Sequence, residues 1–118
     1  MNALCLDIGN TSIKCCKIIN DKINKIDNVL KSDNLISFLQ VYDLNGINHL
    51  LISSVVPNLY IQIKELFNTK NMEIFEVSYK NSGINLEVDS PSEVGADRIC
   101  NVSAENKIYG SPSIIIDF

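Results

Sequence analysis

Short apolar runs separated by polar turns dominate the first quarter of the chain. One apolar run covers 3–6, ends at Asp7 and leads into a glycine turn at 9–11. A second strand is predicted over 13–19, and the turn-rich residues after it predict a hairpin with a partner strand over 23–29. Because polar residues interrupt this third run, we expect it at or near an edge of the sheet.

Helical spacing appears next in the chain. Apolar residues recur at 35, 36, 39 and 42, which predicts a helix with a cap at 32–33 and a stop at 45–46. A short, nearly continuous apolar run over 49–53 follows and is typical of a buried parallel strand.

The second half of the chain continues this alternation. A helix with one apolar face is predicted around 59–67, and another strand over 73–77. Pro91 precedes a third helix over 96–108, which Gly110 closes. The last apolar run, 114–118, resembles one more buried strand.

The predicted order is therefore β-β-β-α-β-α-β-α, followed by the start of another strand. Three antiparallel strands followed by alternating helices and strands are the order of the ribonuclease H-like α/β fold. Actin and the sugar kinases share this fold, usually as two copies. We expect one such domain over 1–112, with 113–118 as the first strand of a second domain.

Composition narrows the classes of function. The 118 residues are 46% hydrophobic and 20% charged, which is typical of a soluble globular protein. The chain has 10 Lys and Arg residues against 14 Asp and Glu residues. It therefore lacks the excess of positive charge that would give an electrostatic reason to expect a nucleic-acid partner. We expect no signal peptide and no membrane span. The four cysteines and the single histidine show no zinc-binding spacing. Because Cys5, Cys15 and Cys16 lie in apolar, strand-like runs, we expect reduced thiols and a cytoplasmic location.

The first candidate for chemistry is the segment at the tip of the first hairpin. It consists of Asp7, Ile8, Gly9, Asn10, Thr11, Ser12, Ile13 and Lys14. Backbone and side-chain donors at such a tip can cradle phosphate, and a carboxylate at a strand end can hold hydrated Mg²⁺. A lysine here could also stabilise a phosphoryl group in transfer. A plain hairpin remains an alternative, since such turns are common.

The second candidate lies at the predicted start of the third helix. Its residues are Gly95, Ala96, Asp97 and Arg98. The free amides of a helix start favour anions, and the Asp97 carboxylate could accept the proton of a substrate hydroxyl. Arg98 could bind a substrate carboxylate through two hydrogen bonds. The alternative is an ordinary helix start with an acidic residue in its first turn.

Two further segments place polar groups at the ends of apolar strands. Ser53 and Ser54 follow the predicted buried strand and could form the floor of a cleft, because ligands gather at the carboxyl ends of parallel strands. Asp117 ends the last apolar run in the same way. A simple strand–helix loop and an exposed terminal carboxylate are the respective alternatives.

Together these segments resemble the type III pantothenate kinase family. The resemblance runs from Leu4 to Phe118 in consistent order. It is carried by 7–11 with Lys14, by 53–57, by 95–98 with Asn101, and by 109–110 before 116–118.

The resemblance implies ATP-dependent phosphorylation of pantothenate, the first step of coenzyme A synthesis. Residues 7–14 would bind ATP, with Asp7 holding Mg²⁺ through water. Residues 95–98 would line the pantothenate site, with Asp97 as the proton acceptor. Asp117 would match the ligand of a monovalent cation, either potassium or ammonium. The family resemblance also implies a homodimer.

Two features depart from the family pattern. Val88 stands where the family often has a substrate-contacting tyrosine, seven residues before Gly95. The family also continues beyond the residues matching 116–118 with a second phosphate loop and a second domain. We therefore expect this chain to represent the N-terminal half of a kinase and to be inactive alone.

A non-catalytic binding or regulatory module is the main alternative. A two-metal nuclease would need more converging carboxylates than the pattern offers.

Overall fold

The computed structural model describes residues 1–29 and 34–117. The chain forms two compact units, Met1–Glu76 and Val77–Phe118. The helix cap expected at 32–33 lies outside the described residues, as does Phe118. The helix after this gap instead has Asn34 at its N-cap, without a side-chain capping bond.

In its described residues, the first unit contains a five-stranded mixed sheet and two α-helices. Its elements are β1 (Ala3–Ile8), β2 (Ile13–Ile19), β3 (Lys22–Val29), α1 (Leu35–Val41), β4 (His49–Ser54), α2 (Leu59–Phe67) and β5 (Glu73–Glu76). The strand order is β3-β2-β1-β4-β5. The first three strands are antiparallel neighbours, whereas β4 pairs parallel with β1 and with β5. The edge position of β3 and the parallel pairing of β4 are as predicted.

The core of this unit lies between one face of the sheet and the two helices. Strand side chains alternate between faces, so every second residue of β1 and β4 points to the core. The buried cluster includes Leu4, Leu6, Ile8, Ile13, Cys15, Leu50 and Ile52 from the sheet, with Leu35, Leu39, Leu59, Ile63 and Phe67 from the helices. Fully burying one such side chain contributes about 1.5–3 kcal/mol.

The core face also contains a charged residue, which the sequence pattern did not identify. Lys17 of β2 is buried, and its Nζ donates to the backbone carbonyl of Asp43 at 2.7 Å and to Asp43 Oδ2 at 3.0 Å. The residue just after α1 is thereby tied to the middle of the sheet. A buried ammonium needs such partners, because an unpaired charge there would be strongly destabilising.

The four cysteines carry thiols, not disulfides. Burial, with the nearby charge of Asp27 adding to it, raises the pKa of the Cys15 thiol to about 12. A thiol with so high a pKa contains very little thiolate at neutral pH and is correspondingly unreactive.

The second unit contains a single-turn 3-10 helix, Pro91–Glu93, and α3, Ala96–Ile108. Gly95 is the N-cap of α3, and Gly110 lies just past its end with a φ of 82°. This left-handed backbone suits glycine and ends the helix, as the sequence predicts. The predicted bounds of this helix are confirmed.

The predicted strand at 114–118 is not seen in 114–117. These residues have no strand geometry, and Ile114 and Ile116 are 90% and 72% exposed. A strand needs a neighbouring strand to receive its backbone hydrogen bonds, and none of the described strands pairs with this segment. The assignment of 113–118 to a second domain stays a prediction.

The α/β class is confirmed by the mixed five-stranded sheet and three α-helices of the described residues. Within 1–29 and 34–117, every helix is too short or too polar to cross a bilayer.

Candidate functional site

A tight turn joins β1 to β2 and follows directly after Asp7. The backbone N–H of Gly9 donates to the carbonyl oxygen of Ser12 at 3.0 Å. A Cβ atom added to Gly9 would lie 3.1 Å from that same carbonyl oxygen. Glycine is therefore favoured here by the close approach of two backbone segments.

The side chains of this turn divide into a buried and an exposed set. Ile8 and Ile13 are buried in the core, so only their backbone groups are available to a ligand. The exposed set comprises Asp7, Asn10, Thr11, Ser12 and Lys14. The turn thus presents carboxylate, amide, hydroxyl and ammonium groups to solvent within one short segment.

Three neighbouring strands place polar residues side by side next to the turn. Asp7 pairs with Lys14 across the antiparallel β1–β2 ladder and with Ser53 across the parallel β1–β4 ladder. Ser53 is buried, and its Oγ donates to Asp7 Oδ1 at 3.4 Å. The sequence predicted a polar floor at this strand end but did not connect Ser53 with Asp7, because that contact depends on strand register.

The charges here are suited to a phosphate ligand accompanied by a magnesium ion. Within 1–29 and 34–117, Lys14 has no ion pair, and no three His, Cys, Asp or Glu side chains come together. Mg²⁺ usually retains several waters and takes one or two carboxylates together with phosphate oxygens. Asp7 fits a site of that kind, in which phosphate and water supply the remaining ligands.

The second candidate segment begins α3 in the other compact unit. Asp97 lies in the first turn, where its Oδ1 accepts a hydrogen bond from the backbone N–H of Arg98 at 2.8 Å. A carboxylate in the first turn is stabilised by the positive end of the helix dipole. Ala96 is buried and anchors the turn, whereas the Arg98 side chain is exposed.

The remaining predicted residues lie in segments without regular structure. Val88 is half exposed, and Asp117 is exposed near the end of the chain. The structure thus brings 7–14 together with Ser53 in the first unit, and 95–98 together in the second. The predicted roles of both groups, of Val88 and of Asp117 stay predictions.

The sequence matches the family model of type III pantothenate kinase over residues 3–118. The chain belongs to the type III pantothenate kinase family. The match includes both candidate segments, 7–14 and 95–98, and the residues around Ser53.

A relative within this family comes from Thermosipho melanesiensis and is named a type III pantothenate kinase. It is 33% identical over 120 residues, an alignment that covers 95% of this chain and 48% of the relative. The chain therefore spans about half the length of that family member.

Among solved structures, the nuclease domain of the large terminase subunit of bacterial virus Sf6 is similar to this chain at a TM-score of 0.49. The sequences are 14% identical, and the match covers 96% of this chain and 58% of the nuclease domain. Likeness at that level does not establish a shared fold, so the ribonuclease H-like assignment stays a prediction.

Proposed function

We propose that this chain supplies the first phosphate-binding turn and the substrate-side helix of an ATP-dependent pantothenate kinase. Membership of the type III pantothenate kinase family carries the proposal. The turn at 9–12 supports it, because it presents exposed polar side chains and follows directly after the exposed Asp7. In this proposal residues 7–14 bind the phosphates of ATP.

The proposed reaction transfers the terminal phosphoryl group of ATP to the primary hydroxyl of pantothenate. The bond between that hydroxyl oxygen and phosphorus forms as the bond from phosphorus to the leaving ADP oxygen breaks. Asp97 accepts the hydroxyl proton, and Lys14 stabilises negative charge on the phosphoryl oxygens. Mg²⁺, when bound through water at Asp7, neutralises phosphate charge.

In this proposal residues 95–98 bind pantothenate. Arg98, exposed at the first turn of α3, would bind the carboxylate of pantothenate. Val88 would give an apolar contact in place of the family's tyrosine hydroxyl. Asp117 is the proposed ligand of a potassium or ammonium ion, and the proposed assembly is a homodimer in the cytoplasm.

The role of Asp97 can be tested with an assay coupled to ADP release. Protein made from the complete reading frame containing this sequence is compared with its Asp97→Asn variant. We expect the variant to be slower by about 10²–10⁴-fold, the usual contribution of a general base. Asp89→Asn, a change at an exposed carboxylate in the same unit, should keep the full rate. An unchanged rate in Asp97→Asn would exclude the proposed role.

The same assay tests what this chain does by itself. Because it spans 48% of a family member, we propose that it has no kinase activity alone. Calorimetry with ATP and with pantothenate provides the second measurement. The non-catalytic binding module would be favoured by two results together. This chain would form a stable dimer that binds neither ATP nor pantothenate, and the full-length protein would form the same dimer and have no kinase activity.

A further inference from the structure

Ser53 combines deep burial with a polar partner that reaches solvent. Ser53 is only 8% exposed, whereas Asp7, which accepts its hydrogen bond, is exposed. A buried hydroxyl without a partner would cost free energy, so its hydrogen bonds are constrained by the fold. The Asp7 carboxylate is therefore connected to a rigid position inside the sheet.

The register of the parallel strands makes this connection specific. Asp7 and Ser53 are direct partners across the β1–β4 ladder, so their side chains leave the sheet on the same face. The oxygen–oxygen distance of 3.4 Å is longer than the roughly 2.7–2.8 Å typical of an O–H···O bond. Hydrogen bonds of catalytic groups are often long without ligand and tighten when ligand binds.

The neighbouring serine has a different set of contacts. Ser54 pairs with Ile8, on the opposite face of the sheet. Its Oγ donates to the carbonyl oxygen of Val56 at 3.1 Å and accepts from the Val56 N–H at 3.2 Å. Ser54 thus stabilises the loop after β4, and the two adjacent serines form a natural pair of test and control.

We infer that Ser53 is a positioning residue for the carboxylate of Asp7. Its hydroxyl holds Oδ1, restricts rotation of the carboxylate and leaves Oδ2 available to the water shell of a magnesium ion. That the Asp7 carboxylate serves magnesium and nucleotide binding rests on the proposed function. The hydrogen bond between Ser53 and Asp7 does not depend on it. Thr at this position would keep the hydroxyl, and Ala would remove it.

Carbon-13 NMR of this chain tests the contact directly. The carboxyl resonance of Asp7 is compared in the wild type and in Ser53→Ala, Ser53→Thr and Ser54→Ala. We expect it to move in Ser53→Ala, to stay near its original position in Ser53→Thr, and to be unchanged in Ser54→Ala. A purely structural role of Ser53 would not produce this selective response with restoration by threonine. An unmoved resonance in Ser53→Ala would overturn the inference.

A reciprocal variant keeps the test decisive if Ser53→Ala fails to fold. Asp7→Ala removes an exposed side chain and should preserve the fold. We expect the Cβ resonance of Ser53 to shift in this variant and that of Ser54 to stay in place. Equal responses of the two serines would contradict a specific contact.

Titration with magnesium and ATP separates this inference from the proposed function. If the proposed function holds, Ser53→Ala should bind magnesium–ATP about tenfold more weakly than wild type, as expected for one hydrogen bond to a charged group. Ser53→Thr should restore the affinity. If neither this chain nor the full-length protein binds magnesium–ATP, the proposed function fails, while a shifted Asp7 resonance would still support the positioning contact.

Discussion

Gly9 is the position at which the turn between β1 and β2 is least tolerant of a side chain. The nearest atom to an added Cβ is a backbone carbonyl oxygen, that of Ser12, at 3.1 Å. That atom cannot rotate away, and it accepts the hydrogen bond that closes the turn. We predict that Gly9→Ala lowers the free energy of unfolding by about 1 kcal/mol, measured by urea denaturation.

Ser12→Ala is the matched control for this prediction. It keeps the carbonyl oxygen and the turn hydrogen bond, and removes only an exposed hydroxyl. Its unfolding free energy should stay within about 0.5 kcal/mol of wild type, as is usual for surface substitutions. Equal stabilities of Gly9→Ala and wild type would show that the turn can open without strain.

Individual residues differ in how far the sequence predicts their environment. The exposed turn at 9–12 was predictable, because glycine and small polar residues interrupt two apolar runs. The burial of Lys17 was not, since its ionic partner, Asp43, follows in the chain only after another strand and a helix. The Asp7–Ser53 contact likewise depends on the register of strands that lie far apart in sequence.

At the scale of elements, predictions succeeded where a pattern is local. In the described residues, the three strands of the N-terminal meander and the helices α1 and α2 lie where the apolar pattern places them, whereas α3 lies between the flanking signals of Pro91 and Gly110. The run at 114–117 shows the limit of this reasoning. It has the composition of a buried strand, yet strand structure also requires a pairing partner, which composition does not encode.

The C-terminal end of α1 is attached to the edge of the sheet through a polar cluster. The hydroxyl of Tyr42 donates to Asp27 Oδ2 at 3.0 Å, and Lys25 forms an ion pair with Asp27 Oδ1 at 2.9 Å. The hydrogen bond from Lys25 is the main cause that lowers the pKa of Asp27. The Tyr42 ring also packs against Phe38 of α1, with 5.0 Å between ring centroids.

This cluster predicts how stability responds to alkaline pH. Burial, and then the hydrogen bond to Asp27, raise the pKa of Tyr42 to about 12. The raised pKa means that the folded state favours the neutral phenol of Tyr42. The contribution of this group to the free energy of unfolding is therefore complete below pH 10 and is lost as the pH rises towards 12. Tyr42→Phe should therefore lower the free energy of unfolding by about 1 kcal/mol at pH 7. Between pH 10 and 12 the variant should lose less stability than wild type, measured by denaturation at a series of pH values.

Tyr60→Phe provides the comparison for this prediction. Tyr60 is also half-buried, but its hydroxyl has no hydrogen-bond partner in the part of the chain that the structure describes. Its removal should leave the stability at pH 7 nearly unchanged. If Tyr42→Phe and Tyr60→Phe showed the same alkaline profile, the Tyr42–Asp27 bond would not be the cause.

At the scale of the whole molecule, burial is distributed very unevenly. The buried apolar cluster lies in the first unit, where β1 and β4 occupy interior positions of the sheet. In α3 the buried residues are Ala96 and Ile99, both in its first half, and the side chains from 101 onwards are largely exposed. Elements with few buried apolar contacts open at a lower free energy than the core.

Amide hydrogen exchange should therefore show a gradient along the chain. We expect the slowest exchange in β1 and β4, exchange at least about tenfold faster in the first half of α3, and the fastest helical exchange in 102–108. The reason is that an opening of the second half of α3 exposes little additional apolar surface. Exchange as slow in 102–108 as in β1 would contradict this order, because it would mean that α3 opens only with the core. A reduced rate in 96–100 alone on addition of pantothenate would place the ligand at the N-terminal end of α3, as the proposed function requires.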